Sequence, residues 1–302
     1  MRVFITGASG HVAAALIPDL LSAGHEVVGL ARSDASAEAV RARGATVRRG
    51  DLDDLDGLRQ AATEADGVIH LAFKHDLMVA NDYAGAVHAD LAVVQTIGDA
   101  LAGTGKPFVG TSGTMMLLAA GLDRTGTEDD VAPGGPRVDA ENLLIGLSGH
   151  GVRSSVVRLP PVVYSALDKH GFVPTLIAAA RRTGRSAYLG EGANRWPAGH
   201  TLDAARVYRL ALESAPAGTR LHPVNDEGIP LRQIAETIGR RLGVPAVSIP
   251  AEESAAQFGF LGAAVGVDNP ASSLRTQEVL GWKPEHQGLL AELEEDHYFT
   301  TA

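Results

Sequence analysis

TGASGHVA, residues Thr6–Ala13, is the stretch of sequence that decides the fold of this chain. It follows a short apolar run at 2–6, and it opens a segment with helical spacing that stops at Gly24. Gly7 permits a tight turn, and Gly10 lets the backbone approach a ligand closely. The N–H groups at the start of the next helix bind anions such as a pyrophosphate. The stretch therefore predicts a dinucleotide-binding strand–turn–helix unit, and the alternative is a glycine turn without a ligand.

Short apolar runs alternate with helix-like segments from this turn to about residue 160. Strands that alternate with helices predict a parallel sheet covered on both faces, and right-handed crossovers make it a doubly wound α/β sheet of the Rossmann type. The predicted strands are 2–6, 25–30, 45–49, 66–71, 107–110 and 152–159. The predicted helices are 11–23, 34–43, 84–102 and 137–150.

The pattern changes after the pair Pro160-Pro161. We predict an NAD(P)-binding domain over 1–160 and a smaller, α-rich, substrate-binding subdomain over most of 161–302, with part of 185–225 completing the sheet. No Ser/Gly-rich linker separates the two, so we expect the second to pack on the first. The predicted elements here are helices 172–183, 201–214 and 231–242, strands 185–189, 221–225 and 246–249, and helical segments from 252 to the end.

The composition excludes several classes of function. The chain has 302 residues, 45% hydrophobic and 21% charged, which indicates a folded globular protein. It has no cysteine, which excludes disulfides, cysteine metal ligands and thiol catalysis. Its net charge of −10 argues against nucleic acids and anionic membranes as partners. A small-molecule substrate is the expected partner.

We expect a cytoplasmic protein without a bound metal. No apolar run approaches the ~20 residues that span a bilayer, and Met1-Arg2 leads directly into the first strand without a signal-like segment. Histidines and acids do not recur at the spacings of metal ligands. His200 and Asp203 share one helix face, where we expect them to cap and pack rather than to form a site.

Four further segments occur in a fixed order along the chain. They are Asp51-Leu52, VIHLA at 68–72, RLPPVVY at 158–164 and HTLDAA at 200–205. Together with the N-terminal turn, in which Ala13 takes the place of a third glycine, they resemble the extended short-chain dehydrogenase/reductases. This is the family that contains the sugar-nucleotide epimerases and dehydratases, and the resemblance covers most of the chain.

The end of the second strand, GLARS at 29–33, distinguishes the two nicotinamide cofactors. NAD-binding proteins usually place an acid there to hold the ribose 2′-OH. Here Arg32 and Ser33 stand in its place. Because an arginine pairs bidentately with a 2′-phosphate, we predict a preference for NADP(H), with NAD(H) as the alternative. The alternative interpretation is that Arg32 is a solvated loop residue.

The turn and the resemblance together imply a set of cofactor contacts. The resemblance assigns the adenine to the acidic pair after the third strand, a wall of the cofactor site to the end of the fourth strand, and the nicotinamide to the proline turn after the sixth strand. The predicted cofactor-binding residues are Gly7, Ser9, Gly10, His11, Val12, Arg32, Ser33, Asp51, Leu52, Leu71, Ala72, Phe73, Thr111, Arg137, Pro160 and Val162.

The resembled family uses a tyrosine, a lysine four residues later, and a serine or threonine after the fifth strand. No tyrosine of this sequence is followed by lysine at that spacing. An alignment on Glu141 places Arg137 at the lysine position and Pro133 at the tyrosine position. Arg137 can hold ribose hydroxyls but cannot exchange protons, because arginine stays protonated in proteins. A helical ion pair between Arg137 and Glu141 is the alternative.

Other groups must then handle the substrate oxygen and the proton. Gly113 falls at the usual serine position, so we expect the neighbouring Ser112 to orient the oxygen. Tyr164 and His75 follow strands at their carboxyl ends, where ligands bind. We predict that one of these two residues is the acid. The alternatives are that Tyr164 is a packed aromatic residue and that His75 is a solvated loop residue. The predicted substrate-binding residues are Lys74, Thr114, Asn194, Arg195 and Trp196.

The favoured function is an NADP(H)-dependent oxidoreductase acting on a small organic carbonyl compound. One alternative is a redox-neutral epimerase, dehydratase or cyclase, and another is a non-catalytic NADP(H) sensor, because the fold does not decide among them. Extended members of the family often dimerise through two helices, here 84–102 and 137–150, so the resemblance also implies a homodimer.

Overall fold

A seven-stranded parallel sheet forms the centre of the fold, which confirms the predicted α/β class. The structure is a computed structural model that describes residues 1–80 and 82–300. The strands are β1 (Arg2–Thr6), β2 (Glu26–Ala31), β3 (Thr46–Arg49), β4 (Gly67–His70), β5 (Pro107–Gly113), β6 (Arg153–Leu159), β7 (Val162–Tyr164), β8 (Ser186–Leu189), β9 (Arg195–His200), β10 (Thr219–Leu221), β11 (Asp226–Pro230) and β12 (Ala246–Ile249). The central sheet has the order β10-β6-β5-β4-β1-β2-β3.

Helices cover both faces of this sheet. The helices are α1 (His11–Ser22), α2 (Asp34–Ala42), α3 (Leu55–Glu64), α4 (His75–Val79), α5 (Tyr83–Leu101), α6 (Val138–Gly146), α7 (Phe172–Thr183), α8 (Thr201–Ser214), α9 (Leu231–Leu242), α10 (Ser254–Phe258), α11 (Leu274–Leu280) and α12 (Leu289–Glu292). One apolar core lies between the sheet and the pair α1 and α8. A second core lies between the sheet and α3, α5 and α6.

The strand order reverses beside β1, and this reversal positions the site. The chain adds β2 and β3 on one side of β1, and then β4, β5 and β6 on the other. Ile5 of β1 is in register with Gly29 of β2 and with Ile69 of β4. In open parallel sheets, a ligand crevice forms at the carboxyl ends of the strands where the order reverses.

The structure differs from the predicted elements at several places, and α4, β7, β9 and β11 are among the elements that the sequence pattern does not predict. The sequence pattern does not predict α3, whose start lies in an acidic segment where the Asp54 carboxylate accepts the N–H of Gly57 at 2.9 Å. The seventh strand is β10 rather than 221–225, because its three residues pair with β6 up to Leu221. The predicted helix 137–150 begins one residue later, since Arg137 has the left-handed φ of 62° and lies outside α6.

A third core lies in the C-terminal part of the chain. There α7, α9 and α10 pack around the buried side chains of Trp196 and Ile234. β7, β9 and β11 form a three-stranded sheet, and β8 and β12 form a parallel pair. The boundary at residue 160 stays a prediction, and residues 301–302 of the predicted C-terminal helical segment lie outside the described residues. Over 1–80 and 82–300, no helix has the length and apolar character needed to cross a membrane.

A buried ion pair joins the central sheet to α6. Arg158 of β6 is 1% exposed and Glu141 of α6 is 4% exposed. Nε of Arg158 donates to both carboxylate oxygens at 3.1 Å, and Nε of Arg220 in β10 donates to the same group at 2.8 Å. Burial opposes the charge of Glu141, but the hydrogen bonds from Arg158 hold its pKa below the ordinary value. The pair therefore ties α6 to the two strands at this edge of the sheet.

Glu141→Gln is expected to lower the free energy of unfolding by about 3–5 kcal/mol, because it leaves the buried guanidinium of Arg158 without its counter-charge. Glu236→Gln is the matched control, since Glu236 accepts from Arg232 at 2.7 Å on an exposed face of α9. Loss of such a pair costs less than ~0.5 kcal/mol. Urea denaturation followed by circular dichroism measures both variants, and equally small losses would contradict this role of the buried pair.

Candidate active site

A cleft of about 680 Å³ opens at the carboxyl ends of the central strands. Its walls are the turn after β1, the ends of β2, β4 and β5, and the segment between β6 and β7. The structure brings most of the predicted contacts together here. The predicted site residues that line the cleft are Gly7, Ser9, Gly10, His11, Val12, Arg32, Asp51, Leu52, Leu71, Ala72, Phe73, Lys74, His75, Thr111, Ser112, Arg137 and Pro160.

The glycine turn lies directly against the end of β4. Gly7 has a φ of +68°, a conformation that side chains disfavour. A Cβ at this position would stand 2.8 Å from the backbone nitrogen of Ala72 and 2.9 Å from the carbonyl carbon of Leu71. Both neighbours are backbone atoms that cannot move aside, so the close approach requires glycine.

The start of α1 leaves its N–H groups available to an anion. Gly10 precedes the helix, and within the described ranges no side chain caps that end. The N–H of Gly10 donates to the carbonyl of Gly7 at 2.9 Å, which closes the turn. The free N–H groups and the helix dipole favour a phosphate at this point. The residues present therefore fit the pyrophosphate of a dinucleotide.

Arg43, which is not among the predicted site residues, supports the same turn from the far side. Its guanidinium donates to the carbonyl of Ala8 at 2.5 Å and to that of Ser9 at 3.0 Å. Burial lowers the pKa of Arg43, but an arginine remains charged at neutral pH. No local motif marks this residue, because it follows α2 and only the folded chain brings it to the turn.

Arg32 stands at the outer end of the cleft and has a protein partner there. Its Nη1 donates to the Asp76 carboxylate at 2.9 Å, and both side chains are exposed. The hydrogen bond from Arg32 lowers the pKa of Asp76. Ser33 does not line the cleft, because its hydroxyl caps α2 by accepting the N–H of Ser36 at 3.1 Å. Ser36 lines the cleft instead.

Arg137 lies inside the cleft, and the alternative of an ion pair with Glu141 is wrong, because Arg158 and Arg220 occupy that carboxylate. The Arg137 guanidinium carbon lies 4.1 Å from the centre of the Phe73 ring. Its Nη2 donates to the Thr111 carbonyl at 3.2 Å.

A buried acid outside the set of predicted site residues lies behind Arg137. Asp90 of α5 is 5% exposed, and its Oδ2 lies 4.0 Å from Nε of Arg137. The left-handed backbone of Arg137 lies just before α6, at the end of a loop that follows Gly135. Arg137 is therefore held by a ring, a carbonyl and a negative charge.

His75 and Lys74 lie on the cleft wall after β4. The ring of His75 packs edge-on against Phe73, with 5.5 Å between the ring centres. Desolvation and the positive charge of Arg137 lower the pKa of His75 below its ordinary value, which favours the neutral imidazole at pH 7. Nζ of Lys74 lies 2.5 Å from both carboxylate oxygens of Asp53.

Tyr164, one of the two predicted acids, is not in the cleft. Its ring is fully buried, and its hydroxyl donates to the carbonyl of Gln287 at 2.7 Å. Burial and neighbouring carboxylates, first among them Asp226, raise its pKa well above the ordinary value. The prediction is corrected accordingly, since the hydroxyl serves a contact inside the C-terminal core. Val162 is likewise buried, and Val163 lines the cleft in its place.

Four predicted substrate-binding residues also lie outside the cleft. The hydroxyl of Thr114 is fully buried and bonds a buried asparagine amide at 2.9 Å. Asn194 and the fully buried Trp196 donate to backbone carbonyls between 265 and 267. Arg195 forms an ion pair with Asp268 at 2.8 Å. The side chains of 194–196 bind neighbouring parts of the C-terminal region, and Thr114 ties the end of β5 to that region through Asn269.

His200, Asp203 and His286 form a cluster that the sequence spacing does not reveal. Their nitrogen and oxygen atoms lie within 4.8 Å of one another. The two imidazole rings stack at 4.1 Å, while Asp203 accepts from Asn225 at 2.8 Å and from the N–H of His286 at 3.1 Å. Nδ1 of His200 accepts the N–H of Leu202 at 3.3 Å. These hydrogen bonds and the stacked rings agree with the predicted capping and packing role of His200 and Asp203.

Comparisons with known proteins agree with this geometry. The sequence profile of the NAD dependent epimerase/dehydratase family matches residues 3–136. An uncharacterised protein of Schizosaccharomyces pombe is 46% identical over 299 residues, which cover 99% of this chain and 100% of that protein. A 2-alkyl-3-oxoalkanoate reductase of Stenotrophomonas maltophilia is 27% identical over 82% of this chain and 77% of its own. A solved dTDP-glucose 4,6-dehydratase from Streptomyces venezuelae, with NAD bound, has a TM-score of 0.75 at 18% identity, over 97% of this chain and 96% of that one.

The fold and the glycine turn define a Rossmann-type, nucleotide-binding class of protein. Within that class, the chain belongs to the NAD-dependent epimerase/dehydratase family, whose members are oxidoreductases and epimerases of the extended short-chain dehydrogenase/reductase type.

Gly7→Ala is expected to weaken nicotinamide dinucleotide binding more than about tenfold, or ~1.4 kcal/mol, because the new Cβ displaces the turn from the end of β4. Gly24→Ala is the matched control, since Gly24 also has a left-handed φ, +81°, but nothing lies within 4 Å of an added Cβ. Fluorescence titration gives the affinities, and thermal melting shows that both variants fold. Equal affinities in the two variants would contradict the assigned role of Gly7.

Proposed function

We propose that this protein is an NADP(H)-dependent oxidoreductase that acts on a small organic carbonyl compound. The observation that carries the proposal is the composition of a single cleft. An anion-binding turn and Arg32 stand at one end of it, and mostly apolar side chains stand at the other. A cleft built in this way suits a phosphorylated dinucleotide beside a small apolar substrate.

The nucleotide end offers a partner for each part of the dinucleotide. The start of α1 suits the pyrophosphate, and Asp51 and Leu52 suit the adenine, as the family pattern implies. Arg32 suits the 2′-phosphate of NADP(H) because a guanidinium pairs bidentately with phosphate. Arg137 suits the ribose hydroxyls at the other end. When bound, the nicotinamide supplies or accepts the hydride.

The reaction end suits a substrate with one polar group. Its apolar lining consists of Met115, Met116, Pro160, Pro161, Val163 and Phe172. Ser112 lies beside this lining and is proposed to orient the substrate oxygen. His75 is the proposed proton donor that lies in the cleft, but a neutral imidazole is a weak acid, which leaves water as the alternative.

Relatives support a reductase. Besides the oxoalkanoate reductase, a farnesyl-dihydroquinoline-oxide ketoreductase of Stigmatella aurantiaca is 26% identical over 86% of this chain. A UDP-glucose 4-epimerase of Corynebacterium glutamicum, 24% identical, supports the redox-neutral alternative. Turnover with NADPH and a panel of carbonyl compounds decides between them. Stoichiometric NADP⁺ supports the reductase, whereas converted substrate with unchanged, retained nucleotide supports the alternative.

NADPH is expected to bind about 10- to 150-fold more tightly than NADH, because a charge-assisted hydrogen bond from Arg32 contributes ~1.5–3 kcal/mol. Arg32→Ala should remove most of this preference. Arg41→Ala is the matched control, because Arg41 is exposed on neighbouring α2 and does not line the cleft. Fluorescence titration of both nucleotides gives the ratio, and equal affinities in the unmodified protein would overturn the NADP(H) proposal.

A homodimer is expected through α5 and α6, which lie side by side on one face of the sheet. Leu91, Leu143 and Ile145 remain partly exposed on these helices. Light scattering should therefore give twice the chain mass of 31.4 kDa. Leu143→Glu should give the single chain mass, whereas Leu202→Glu, at an exposed position of α8, should not. A monomer at micromolar concentration in the unmodified protein would contradict the proposal.

A further inference from the structure

Arg137 has a hydrogen-bond donor that the protein leaves unused. Its Nη2 is bonded to the Thr111 carbonyl, and its guanidinium covers the Phe73 ring. Its Nε is buried and faces the Asp90 carboxylate at 4.0 Å. The N–H groups that can reach a ligand are therefore those on Nη1 and the second one on Nη2. A guanidinium with five donors can serve the ribose hydroxyls and, in addition, an oxygen of the substrate.

The same end of the cleft has few groups that can release a proton. Over the described residues, no tyrosine lines the cleft. The hydroxyl of Thr111 already donates to the carbonyl of His70 at 2.8 Å. Lys74 is engaged by Asp53. The lowered pKa of His75 favours its neutral imidazole at pH 7. Arg137, which stays positively charged, therefore lies at an end of the cleft that has few proton donors.

This combination favours one kind of carbonyl chemistry. Hydride addition to an isolated ketone builds a strongly basic alkoxide, and such a reaction gains from a proton donor in the transition state. Hydride addition to a conjugated carbonyl spreads the negative charge over an enolate or a phenolate, which is much less basic. A fixed cation aimed at the oxygen is enough to stabilise that charge.

We infer that the substrate is a flat, conjugated carbonyl compound, an enone or a quinone, whose oxygen is bound by Arg137 as it becomes an enolate or phenolate. The inference rests on the proposed NADP(H)-dependent oxidoreductase function. The conjugated system accepts a hydride from the reduced nicotinamide, and its π electrons move onto the oxygen. Water then protonates the released product. Each turnover consumes one substrate molecule, one reduced nicotinamide and one proton.

The lining of the cleft matches this substrate class. Met115, Met116 and Phe172 present thioether and aromatic surfaces, which pack well against flat conjugated rings. The diphosphate of a nucleotide sugar would need several cations at the same end. Among the described residues that line this end, the cations are Arg137 and Lys74, and each already faces a carboxylate, at 4.0 Å for Arg137 and at 2.5 Å for Lys74.

The first test compares two bicyclic compounds of similar size and shape, 1,4-naphthoquinone and 1-tetralone. The first yields a phenolate on reduction, and the second yields an alkoxide. With saturating NADPH, we expect the quinone to be reduced at least about 100-fold faster, after subtraction of the rate without protein. Arg137→Ala should lower kcat for the quinone about 10²–10³-fold.

The second test needs no turnover. Bound 7-hydroxycoumarin, a flat phenol, should ionise about one pH unit or more below its pKa in water, because a cation lies beside its oxygen. The fluorescence of the phenolate reports this shift directly. Arg137→Ala should abolish the shift, and Arg137→Lys, which keeps the charge, should retain part of it. Arg232→Ala is the control, because Arg232 also lies over an aromatic ring, at 5.7 Å from Tyr188, but outside the cleft.

The outcomes separate this inference from the proposed function. Equal rates for the two compounds, or reduction of saturated carbonyl compounds alone, would overturn the inference and leave the oxidoreductase standing. The inference would also be overturned if the Arg137→Ala variant lost only NADPH affinity and kept both its kcat and the pKa shift of bound 7-hydroxycoumarin. If NADPH binds and no carbonyl compound of any kind is reduced, the proposed function and the inference both fail.

Discussion

The turn after β1 lies so close to the end of β4 that only a hydrogen atom fits between Gly7 and the backbone of Ala72, where a Cβ would stand at 2.8 Å. Parallel pairing of β1 with β2 and β4 brings three carboxyl ends to one edge, and this contact fixes where they meet. Thr6 strengthens the arrangement, because its hydroxyl accepts the N–H of Ala72 at 3.3 Å. This close approach positions the first turn of α1, the hydrogen bonds from Arg43 and the cleft.

A row of buried polar side chains connects that turn to the reaction end. The hydroxyl of Thr6 lies 2.6 Å from Nδ1 of His70, whose Nε2 lies 3.1 Å from the carboxylate of Asp90. Asp90 in turn faces Arg137. Buried polar groups need partners, and these satisfy one another along the row. This row of hydrogen-bonded and charged side chains therefore links the proposed nucleotide end of the cleft to its proposed reaction end.

The sequence predicts the parts of this site that depend on neighbouring residues. The glycine turn and most of the central strands follow from local patterns, and so do α8 and α9. Residues whose roles depend on distant partners are predicted less well. The sequence places Tyr164 on a site loop, but its hydroxyl bonds the carbonyl of Gln287, which is 123 residues away. Arg43 and Asp90 carry no motif, so nothing local distinguishes them from other charged residues of a helix.

By itself, the sequence determined the class of the protein. Periodic apolar residues and a glycine turn between a strand and a helix act over a few residues, and short-range sterics and burial suffice to interpret them. Tertiary structure alone decided which side chains face the cleft. It turned Arg137 toward Phe73 rather than Glu141, and it gathered His200 and His286 into a packed cluster. Such contacts join residues far apart in the chain, and their geometry is set by how the layers pack, which no local spacing encodes.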